Sequence, residues 1–354
     1  MNPQRDAWRM PKAGSLARLT RVTEPLGPPG PGEAALRVEA IGLNFADLFA
    51  CLGLYSATPK GAFVPGLECA GVVEALGPGG DARGLRVGDR VMAVTRFGGY
   101  ATRLNLDARL LHPVPDGWSF AEAAAYPVQA LTAWYALCVL GEVAPGDVVL
   151  VHSAAGGVGL HALEICARAG ARAVATVGSE GKRDFLVEER GLAPAAVVVR
   201  DRRRFGAQLD AALAALGAPG FDLVLDAVMG PFFRPAFDRL RPEGRHLVFG
   251  AADFMTGGAR PNLAALAWRW LRRPRVDPLA MISDNRAVMG FNLIWLWSEI
   301  DRLPGAYAAL ARLDGRRPHV GARLPFSRAP EALRLLQAGG TAGKVVLEVE
   351  AGAR

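Results

Sequence analysis

The chain has 354 residues, of which 51% are hydrophobic, and a formal net charge of +7 at pH 7. This length exceeds what one compact core usually holds, so two domains are expected. The excess positive charge comes from arginines spread along the whole chain, which gives binding to nucleic acid little support.

The cysteines and the first residues bear on the cellular compartment. Four cysteines are scattered without a Cys-x-x-Cys spacing. This pattern argues against a disulfide framework and against a four-thiolate zinc site, and it is typical of a reducing cytoplasm. The first ten residues lack the apolar stretch of a signal peptide. We therefore expect a cytoplasmic protein.

Residues 1 to about 125 read as short strands separated by Gly and Pro turns. Strands are predicted at Ala35–Ala40, Gly71–Gly77 and Asp89–Val94, and turns at residues 27–30 and 77–80. The alternation and the turn residues predict an antiparallel, barrel-like domain.

An apolar run from Ala123 to Leu140 has to be compared with a membrane span. Pro127, Gln129 and Thr132 interrupt it, and it directly precedes a strand. A buried helix of an enzyme is favoured, so no stable membrane insertion is expected.

The stretch Val148–Gly159 carries most of the functional information. Val148–Val151 is typical of a strand buried on both faces, and a tight turn of small residues follows it. The helical spacing of apolar residues from Val158 onward predicts a helix that stops at Gly170.

The small residues of this turn match a phosphate-binding pattern. Ala154, Gly156 and Gly159 occupy the three positions of G-x-G-x-x-G, with alanine in place of the first glycine. Glycine is needed there because a phosphate must touch backbone N–H groups at the start of the helix. A second strand, Ala173–Val177, ends about 20 residues after the loop, as a dinucleotide site requires. A dinucleotide phosphate loop is favoured over an ordinary strand-to-helix turn.

The end of this second strand indicates which cofactor is bound. An NAD site places a carboxylate there, but Val177, Gly178 and Ser179 are followed by Lys182 and Arg183. Cations and a hydroxyl suit a 2′-phosphate, so NADPH is the predicted cofactor. The alternative is that the two cations form the solvated face of the next helix.

Strand and helix patterns alternate between residues 128 and 290. The six predicted strands are Val148–Val151, Ala173–Val177, Ala196–Val199, Leu223–Leu225, His246–Phe249 and Ala287–Met289. They predict a doubly wound parallel sheet in an α/β fold. A last strand, Lys344–Val349, is expected to rejoin the first domain. The predicted domains are therefore a catalytic domain at 1–127, a cofactor-binding domain at 128–290 and a return to the catalytic domain at 291–354, with the active cleft between them.

Five ordered segments resemble the medium-chain dehydrogenase/reductase superfamily, specifically its zinc-free NADPH quinone oxidoreductase branch. They are Gly42–Asp47, Pro65–Gly71, Val87–Val91, Ala154–Gly159 and Gly343–Val345. Within that branch, Asn262–Trp270 and Asp284–Leu293 resemble the synaptic vesicle membrane protein homologue group. The resemblance implies a six-stranded Rossmann sheet inserted into a GroES-like β-barrel catalytic domain.

The resemblance also allows the zinc ligands to be compared. Zinc alcohol dehydrogenases of this superfamily place a cysteine three residues before an aspartate and a histidine directly before a glutamate. Here Asn44 precedes Asp47, and Leu67 precedes Glu68. No metal site is therefore expected, which disfavours a zinc alcohol dehydrogenase. Asp47 and Glu68 are expected to be buried partners of backbone N–H groups or of an arginine.

Without a metal, the hydride acceptor must need no strong Lewis acid. Quinones and α,β-unsaturated carbonyls qualify, so an NADPH-dependent reductase of these compounds is predicted; an enoyl thioester reductase is an alternative. The resemblance places Asn44 beside the nicotinamide and Tyr55 over the cleft as catalytic residues. Phe49 replaces a second tyrosine of many relatives, which leaves water as the expected proton donor. Simple packing is the alternative for Tyr55.

The resemblance assigns further residues to the cofactor, with ordinary packing or solvation as the alternative for each. They are Thr132 near the nicotinamide amide; Ala155, Gly156, Gly157 and Val158 at the pyrophosphate; Ser179, Lys182 and Arg200 at the 2′-phosphate; Phe249, Gly250, Phe291 and Asn292 around the nicotinamide ribose; and Lys344, a basic contact. Arg200 stands where relatives usually have a tyrosine.

Two expectations concern partners. Zinc-free members of the superfamily pair through the last strand of the cofactor domain, so a homodimer through residues 287–290 is predicted. The Trp- and Arg-rich stretch Leu266–Arg275 leaves open a weakly catalytic nucleotide-binding protein that acts at membranes or with lipids. A lid or subunit-contact helix is favoured for this stretch.

Overall fold

The computed structural model of the protein describes residues 3–81, 84–313 and 316–350. The strands of these ranges are β1 Gln4–Arg9, β2 Thr20–Pro25, β3 Glu33–Gly42, β4 Glu68–Leu76, β5 Arg90–Val94, β6 Arg103–Asp107, β7 Leu111–Pro113, β8 Val148–His152, β9 Arg172–Val177, β10 Val197–Val199, β11 Phe221–Asp226, β12 Leu240–Val248, β13 Ala287–Gly290, β14 Val320–Pro325 and β15 Lys344–Glu348. The α-helices are α1 Phe45–Cys51, α2 Phe120–Ala124, α3 Pro127–Trp134, α4 Gly157–Arg168, α5 Glu180–Asp184, α6 Phe205–Ala215, α7 Phe233–Phe237, α8 Leu263–Leu271, α9 Pro278–Asp284, α10 Leu303–Leu313 and α11 Ala329–Ala338.

The first sheet is mixed and has the order β14-β15-β3-β4-β5-β7, with β6 also paired to β3. The long strand β3 holds β6 along residues 33–37 and β15 along residues 40–42, while β4 pairs with it on the other edge. These pairs are antiparallel as predicted, except that β14 and β15 run parallel. This sheet is the barrel-like domain predicted from the sequence.

The second sheet is parallel and has the order β10-β9-β8-β11-β12-β13. Numbered along the chain, this is the order 3-2-1-4-5-6 of doubly wound dinucleotide-binding folds, so the predicted six-stranded sheet is confirmed. In such sheets a ligand binds outside the carboxyl ends of the strands, at the point where the strand order reverses. Here that point lies at β8.

The central strand β8 is buried on both faces, as its apolar residues predict. Val149 and Val151 pack into one hydrophobic cluster, and Val148 and Leu150 pack into another. Burying each of these side chains contributes on the order of 1.5–3 kcal/mol to stability. The glycine-containing turn predicted to bind phosphate therefore follows a strand that is packed on both faces.

Several predicted bounds differ from the observed ones. Ala196 ends a short 3₁₀ turn and lies outside β10, and Phe249 lies just beyond β12, which begins as early as Leu240. The apolar run from Ala123 to Leu140 is divided into the end of α2, then α3 with Pro127 at its first position, then a π-helical segment, 135–140. The missing N–H of proline costs no helix hydrogen bond at such a helix start.

After β13 the chain returns to the first sheet, where β15 pairs with β3. The domain boundaries at 127/128 and 290/291 stay predictions. Among the described residues, no helix combines the length and apolar character needed to cross a membrane.

Candidate active site

A cavity of about 830 Å³ is lined by residues from both sheets and their loops. Of the residues predicted from the sequence for catalysis or cofactor binding, those that line it are Asn44, Tyr55, Thr132, Ala155, Gly156, Gly157, Val158, Lys182, Arg200, Phe249, Gly250, Phe291, Asn292 and Lys344. Ser179 is exposed and does not line it, although its neighbour Gly178 does. Residues that are far apart in the sequence thus line one cavity, while their roles in catalysis and cofactor binding remain predictions.

The turn between β8 and α4 is shaped for close approach to a ligand. Ser153 has φ +53°, and Gly156 is the N-cap of the twelve-residue helix α4. A Cβ on Gly159 would lie 2.5 Å from Cα of Ala154, so only glycine allows the helix to pack this closely on the turn. The first N–H groups of α4 have no acceptor within the helix and carry its positive dipole end. Such a helix start suits an anion.

The C-terminal segment docks directly on this turn. The N–H of Gly343 donates to the carbonyl of Ala155 at 2.7 Å, and Gly156 and Gly343 form a parallel bridge. Gly343 has φ +66°, and a Cβ there would collide with the carbonyl of His319. This contact fixes the start of β15 and therefore the position of Lys344.

Lys344 is the centre of a buried polar cluster at the base of the cavity. Its Nζ donates to Oε1 of Glu68 at 2.5 Å and to Oδ1 of Asn44 at 2.8 Å. The same Oδ1 accepts from Nε2 of Gln129 at 2.5 Å, and Nδ2 of Asn44 donates to Glu68 at 2.9 Å. Burial lowers the pKa of Lys344, and the Glu68 carboxylate opposes this shift. Both ends of the Asn44 amide are thus bonded to protein groups.

The two buried carboxylates of this region match their predicted role in part. Glu68 accepts from the N–H of Val128 at 2.8 Å, as expected, but its cation is Lys344 and not an arginine. Asp47 accepts from the N–H of Asn44 at 2.8 Å and from the hydroxyl of Tyr100 at 3.2 Å. Burial raises the pKa of Asp47 to about 7.

At another part of the cavity lie two cations, Lys182 and Arg200. Burial lowers the pKa of Arg200 to about 10, so it remains charged at neutral pH. Burial also lowers the pKa of Lys182, and repulsion from Arg200 adds to the shift. Nζ of Lys182 donates to the carbonyl of Gly339 at 2.7 Å. In the part of the chain that the structure describes, no carboxylate forms an ion pair with either cation.

Aromatic rings and amides line a further part of the cavity. The hydroxyl of Tyr55 donates to Oδ1 of Asn292 at 2.8 Å, and burial raises the pKa of Tyr55 to about 12. The rings of Phe249 and Phe291 stack with centroids 5.9 Å apart. Thr132 donates to the carbonyl of Val128 at 2.6 Å. Much of the wall is therefore apolar, with few groups able to bond a substrate oxygen.

Two polar residues of the site were missed at the level of sequence. Gln129 could be noticed in the sequence because it interrupts an apolar run. No sequence pattern indicated that its side chain would bond to Asn44. Thr176 gave no signal, since a threonine is ordinary in a strand. It contacts both Arg200 and His152.

Comparison with known proteins agrees with this geometry. The family model "Alcohol dehydrogenase GroES-like domain" matches residues 30–116, and "Zinc-binding dehydrogenase" matches residues 195–347. The human "Synaptic vesicle membrane protein VAT-1 homolog" is 34% identical over 339 residues, which cover 94% of this chain and 84% of the relative. The chain belongs to the medium-chain dehydrogenase/reductase superfamily. The superfamily resemblance seen in the five sequence segments is thereby confirmed.

Solved structures of this oxidoreductase superfamily superpose along nearly the whole chain. A mycobacterial protein solved in complex with NADPH is 31% identical, with a TM-score of 0.80 over 97% of this chain and 99% of that chain. The quinone oxidoreductase from Thermus thermophilus is also 31% identical, with a TM-score of 0.72 over 97% and 99% of the two chains.

The name of the second family model raises the question whether this member's residues suit zinc. Asn44 and Leu67 stand where the zinc-binding pattern has a cysteine and a histidine, and the ammonium of Lys344 lies 2.5 Å from Oε1 of Glu68. Burial raises the pKa of the Cys51 and Cys69 thiols, the latter to about 12, so neither is a ready thiolate. Within the described ranges, no three His, Cys, Asp or Glu side chains form a metal-binding group. The donor set does not fit zinc.

Proposed function

We propose that this protein is an NADPH-dependent reductase that transfers hydride to a quinone or another α,β-unsaturated carbonyl compound without zinc. One observation carries the proposal: a single cavity joins the glycine turn before α4, the unneutralised cations Lys182 and Arg200, and a buried cluster that contains an ammonium group in place of metal ligands. The NADPH complex and the quinone oxidoreductase among the structural neighbours support it.

The residues fit the cofactor in two places. The start of α4, at Gly156 to Val158, would hold the pyrophosphate, and Lys182 with Arg200 would hold the 2′-phosphate. When bound, the nicotinamide would supply the hydride. The aromatic wall formed by Phe249 and Phe291 would exclude water from the transfer.

Few polar side chains lie near the proposed position of the hydride acceptor. They differ in whether their hydrogen-bonding groups are already used by the protein. The Asn44 amide is bonded at both ends, so we propose that it positions Lys344 and Gln129 and does not itself donate to substrate. Tyr55 holds Oδ1 of Asn292, which leaves the Asn292 amide N–H groups for an oxygen on which charge develops. Water remains the proposed proton donor, because the Tyr55 proton is already donated to Asn292.

The test is an NADPH-oxidation screen of the purified protein against quinones, enones and enoyl thioesters, with NADH in parallel. We expect turnover with a quinone or an enone and a clear preference for NADPH. Turnover with enoyl thioesters alone would assign the alternative reductase. No oxidation with any conjugated acceptor, together with oxidation of simple alcohols by NADP⁺, would refute the proposal.

Cofactor choice has its own matched pair of variants. Lys182→Ala should weaken NADPH binding by about 10- to 100-fold, the range for a lost hydrogen bond to a charged group, and affect NADH little. Arg183→Ala removes the adjacent cation of α5, which does not line the cavity, and should leave both affinities near wild type. Equal losses for NADPH and NADH in Lys182→Ala would reject the assignment.

A second candidate function, action at a lipid surface, is favoured by one feature. Trp268 and Trp270 on α8 are 56% and 58% exposed, with Arg272 and Arg273 stacked 4.0 Å over their rings. Exposed tryptophans on a helix with arginines at its C-terminal end suit a lipid interface. Sedimentation of the protein with anionic vesicles would support this function, and its absence would leave α8 as a lid or a subunit contact.

We also propose a homodimer formed through β13. This strand ends the sheet order, and among the described residues its only strand partner is β12. An open edge of this kind is a liability unless a second chain covers it.

A further inference from the structure

Arg200 is held by a chain of hydrogen bonds that the proposed function has not used. Its Nη1 donates to the carbonyl of Thr176 at 3.3 Å and to Oγ1 of the same residue at 3.0 Å. That Oγ1 lies 3.0 Å from Nδ1 of His152, on the neighbouring strand β8. Thr176 and His152 are both buried. Bulk water therefore does not compete for these contacts.

The chemistry of the donors sets the direction of this chain. A guanidinium has N–H groups and no acceptor, so Thr176 accepts from Arg200. Among the described residues, the only other side-chain atom that bonds to Oγ1 is Nδ1 of His152, which accepts the hydroxyl proton in the tautomer whose ring proton is on Nε2. Burial lowers the pKa of His152 to about 4, so its ring is neutral at pH 7. Nε2 finds no partner in the described part of the chain, so Thr176 alone anchors the polar edge of this ring.

The guanidinium is also restrained on its face. Its Cζ lies 5.4 Å from the ring centroid of Phe232, and the ring of Phe205 contacts both Phe232 and His152. The other end of the guanidinium, Nη2, lies beside Gly178 at the wall of the cavity. A Cβ atom added to Gly178 would lie 3.6 Å from this Nη2. Thr176 thus holds one edge of the fork, and the edge beside Gly178 is left for a ligand.

We propose that Thr176 and His152 are positioning residues that give this site its selectivity for a phosphate monoester over a hydroxyl, and hence for the 2′-phosphate of NADPH over the 2′-hydroxyl of NADH. The inference rests on the proposed function, which places the 2′-phosphate at Arg200. An arginine bonds two phosphate oxygens only when its plane is correctly oriented. An arginine held in that orientation before binding loses less freedom when the ligand arrives.

The test measures the affinities for NADPH and NADH and takes their ratio. Thr176→Val removes the hydroxyl at nearly constant volume and should lower the NADPH preference by about 5- to 30-fold, the effect of one hydrogen bond that acts through a charged group. Thr176→Ser restores the hydroxyl and should restore the ratio. His152→Phe removes the acceptor and should lower the ratio in the same direction, which provides a second variant if the valine protein does not fold.

Two controls separate positioning from a general structural effect. Thr102 is equally buried, and its Oγ1 accepts from the N–H of Asp6 at 3.0 Å, but it lies outside the cavity lining. Thr102→Val should therefore keep the wild-type ratio even if it loses stability. In an Arg200→Ala background, Thr176→Val should change the ratio no further, since the group that it positions is gone.

The outcomes distinguish this inference from the proposed function. If Arg200→Ala lowers the NADPH preference but Thr176→Val and His152→Phe do not, the positioning role is overturned and the cofactor assignment stands. If Arg200→Ala keeps the wild-type ratio, the 2′-phosphate is not bound at Arg200, so the positioning role and that part of the cofactor assignment are overturned, while the NADPH-oxidation screen still decides the reductase proposal.

Discussion

The hydroxyl of Tyr55 donates a 2.8 Å hydrogen bond to Oδ1 of Asn292, which joins the loop after α1 to the segment after β13. Both residues line the cavity, so the bond links two parts of its wall that are 237 residues apart in the sequence. It orients the amide that we propose for the developing oxyanion.

This bond predicts coupled kinetics for two variants. Tyr55→Phe should lower kcat/KM for quinone reduction by about 3- to 10-fold, and Tyr55→Phe with Asn292→Ala should cost less than the sum of the two single changes. Tyr307→Phe is the matched control, because the Tyr307 hydroxyl has no hydrogen-bond partner among the described residues and does not line the cavity. A loss of a thousand-fold or more in kcat for Tyr55→Phe would instead make this tyrosine the proton donor.

The Glu68–Lys344 pair predicts a large effect on stability. Glu68→Gln leaves the Lys344 ammonium buried beside a neutral amide and should lower the free energy of unfolding by about 3–5 kcal/mol in urea titrations. Glu348→Gln is the control, since Glu348 pairs with Arg323 at 3.0 Å with both side chains about half exposed, and it should cost about 1 kcal/mol or less. Equal losses of unfolding free energy in the two variants would show that burial does not raise the cost of breaking the Glu68–Lys344 pair.

His152 predicts how stability depends on pH. Burial lowers its pKa from 6.5 to about 4 in the folded protein, so between these values the unfolded chain binds a proton that the folded chain does not. Stability from this residue is therefore complete above pH 6.5 and is lost as the pH falls toward 4, by on the order of 3 kcal/mol. Denaturant titrations of His152→Phe should show a flatter decline over this window, whereas curves parallel to those of the wild type would show that His152 is not the group responsible.

Metal independence is predicted from the donor set around Lys344. Activity should survive prolonged chelation, and elemental analysis should find well under one zinc per chain, because neither Asn44 nor Leu67 is a zinc ligand. Loss of turnover on chelation, with recovery on added zinc, would reopen alcohol oxidation as the main chemistry.

The open edge of β13 predicts association in solution. Light scattering at micromolar concentration should give the mass of two chains, since pairing of residues 287–290 across a twofold axis would satisfy the unpaired backbone groups. A single-chain mass at that concentration would count against the dimer.

Local patterns in the sequence were enough to predict the parallel sheet and the glycine turn between β8 and α4. Val148–Val151 is apolar at every position, which predicts a buried strand. The glycines that follow act within a few residues of one another, so their spacing alone predicts the turn. The strands β1 and β14 were not predicted because β1 begins with three consecutive polar residues and β14 contains Gly321 and ends at Pro325, so pairing with a neighbouring strand makes them strands.

The sequence predicted most residues of the candidate site but not the hydrogen bonds between them. Asn44 and Lys344 are 300 residues apart, and no spacing rule indicates that they share a hydrogen bond. Ser179 is the opposite case. It was predicted as a cofactor contact from its place just after β9, but its side chain is exposed and lies outside the cavity lining. Which side chain faces a cavity depends on packing that is set by the whole fold.

The docking of Gly343 on the carbonyl of Ala155 has a consequence for biosynthesis. A ribosome makes the glycine turn long before it makes β15, and the parallel sheet can begin to form while the rest is still being translated. The turn remains without its backbone clamp and without the Lys344 ammonium until that late strand has emerged and paired with β3. In a chain arrested before β15, Asn44 and Glu68 would therefore be without the ammonium group that bonds to both of them in the complete fold.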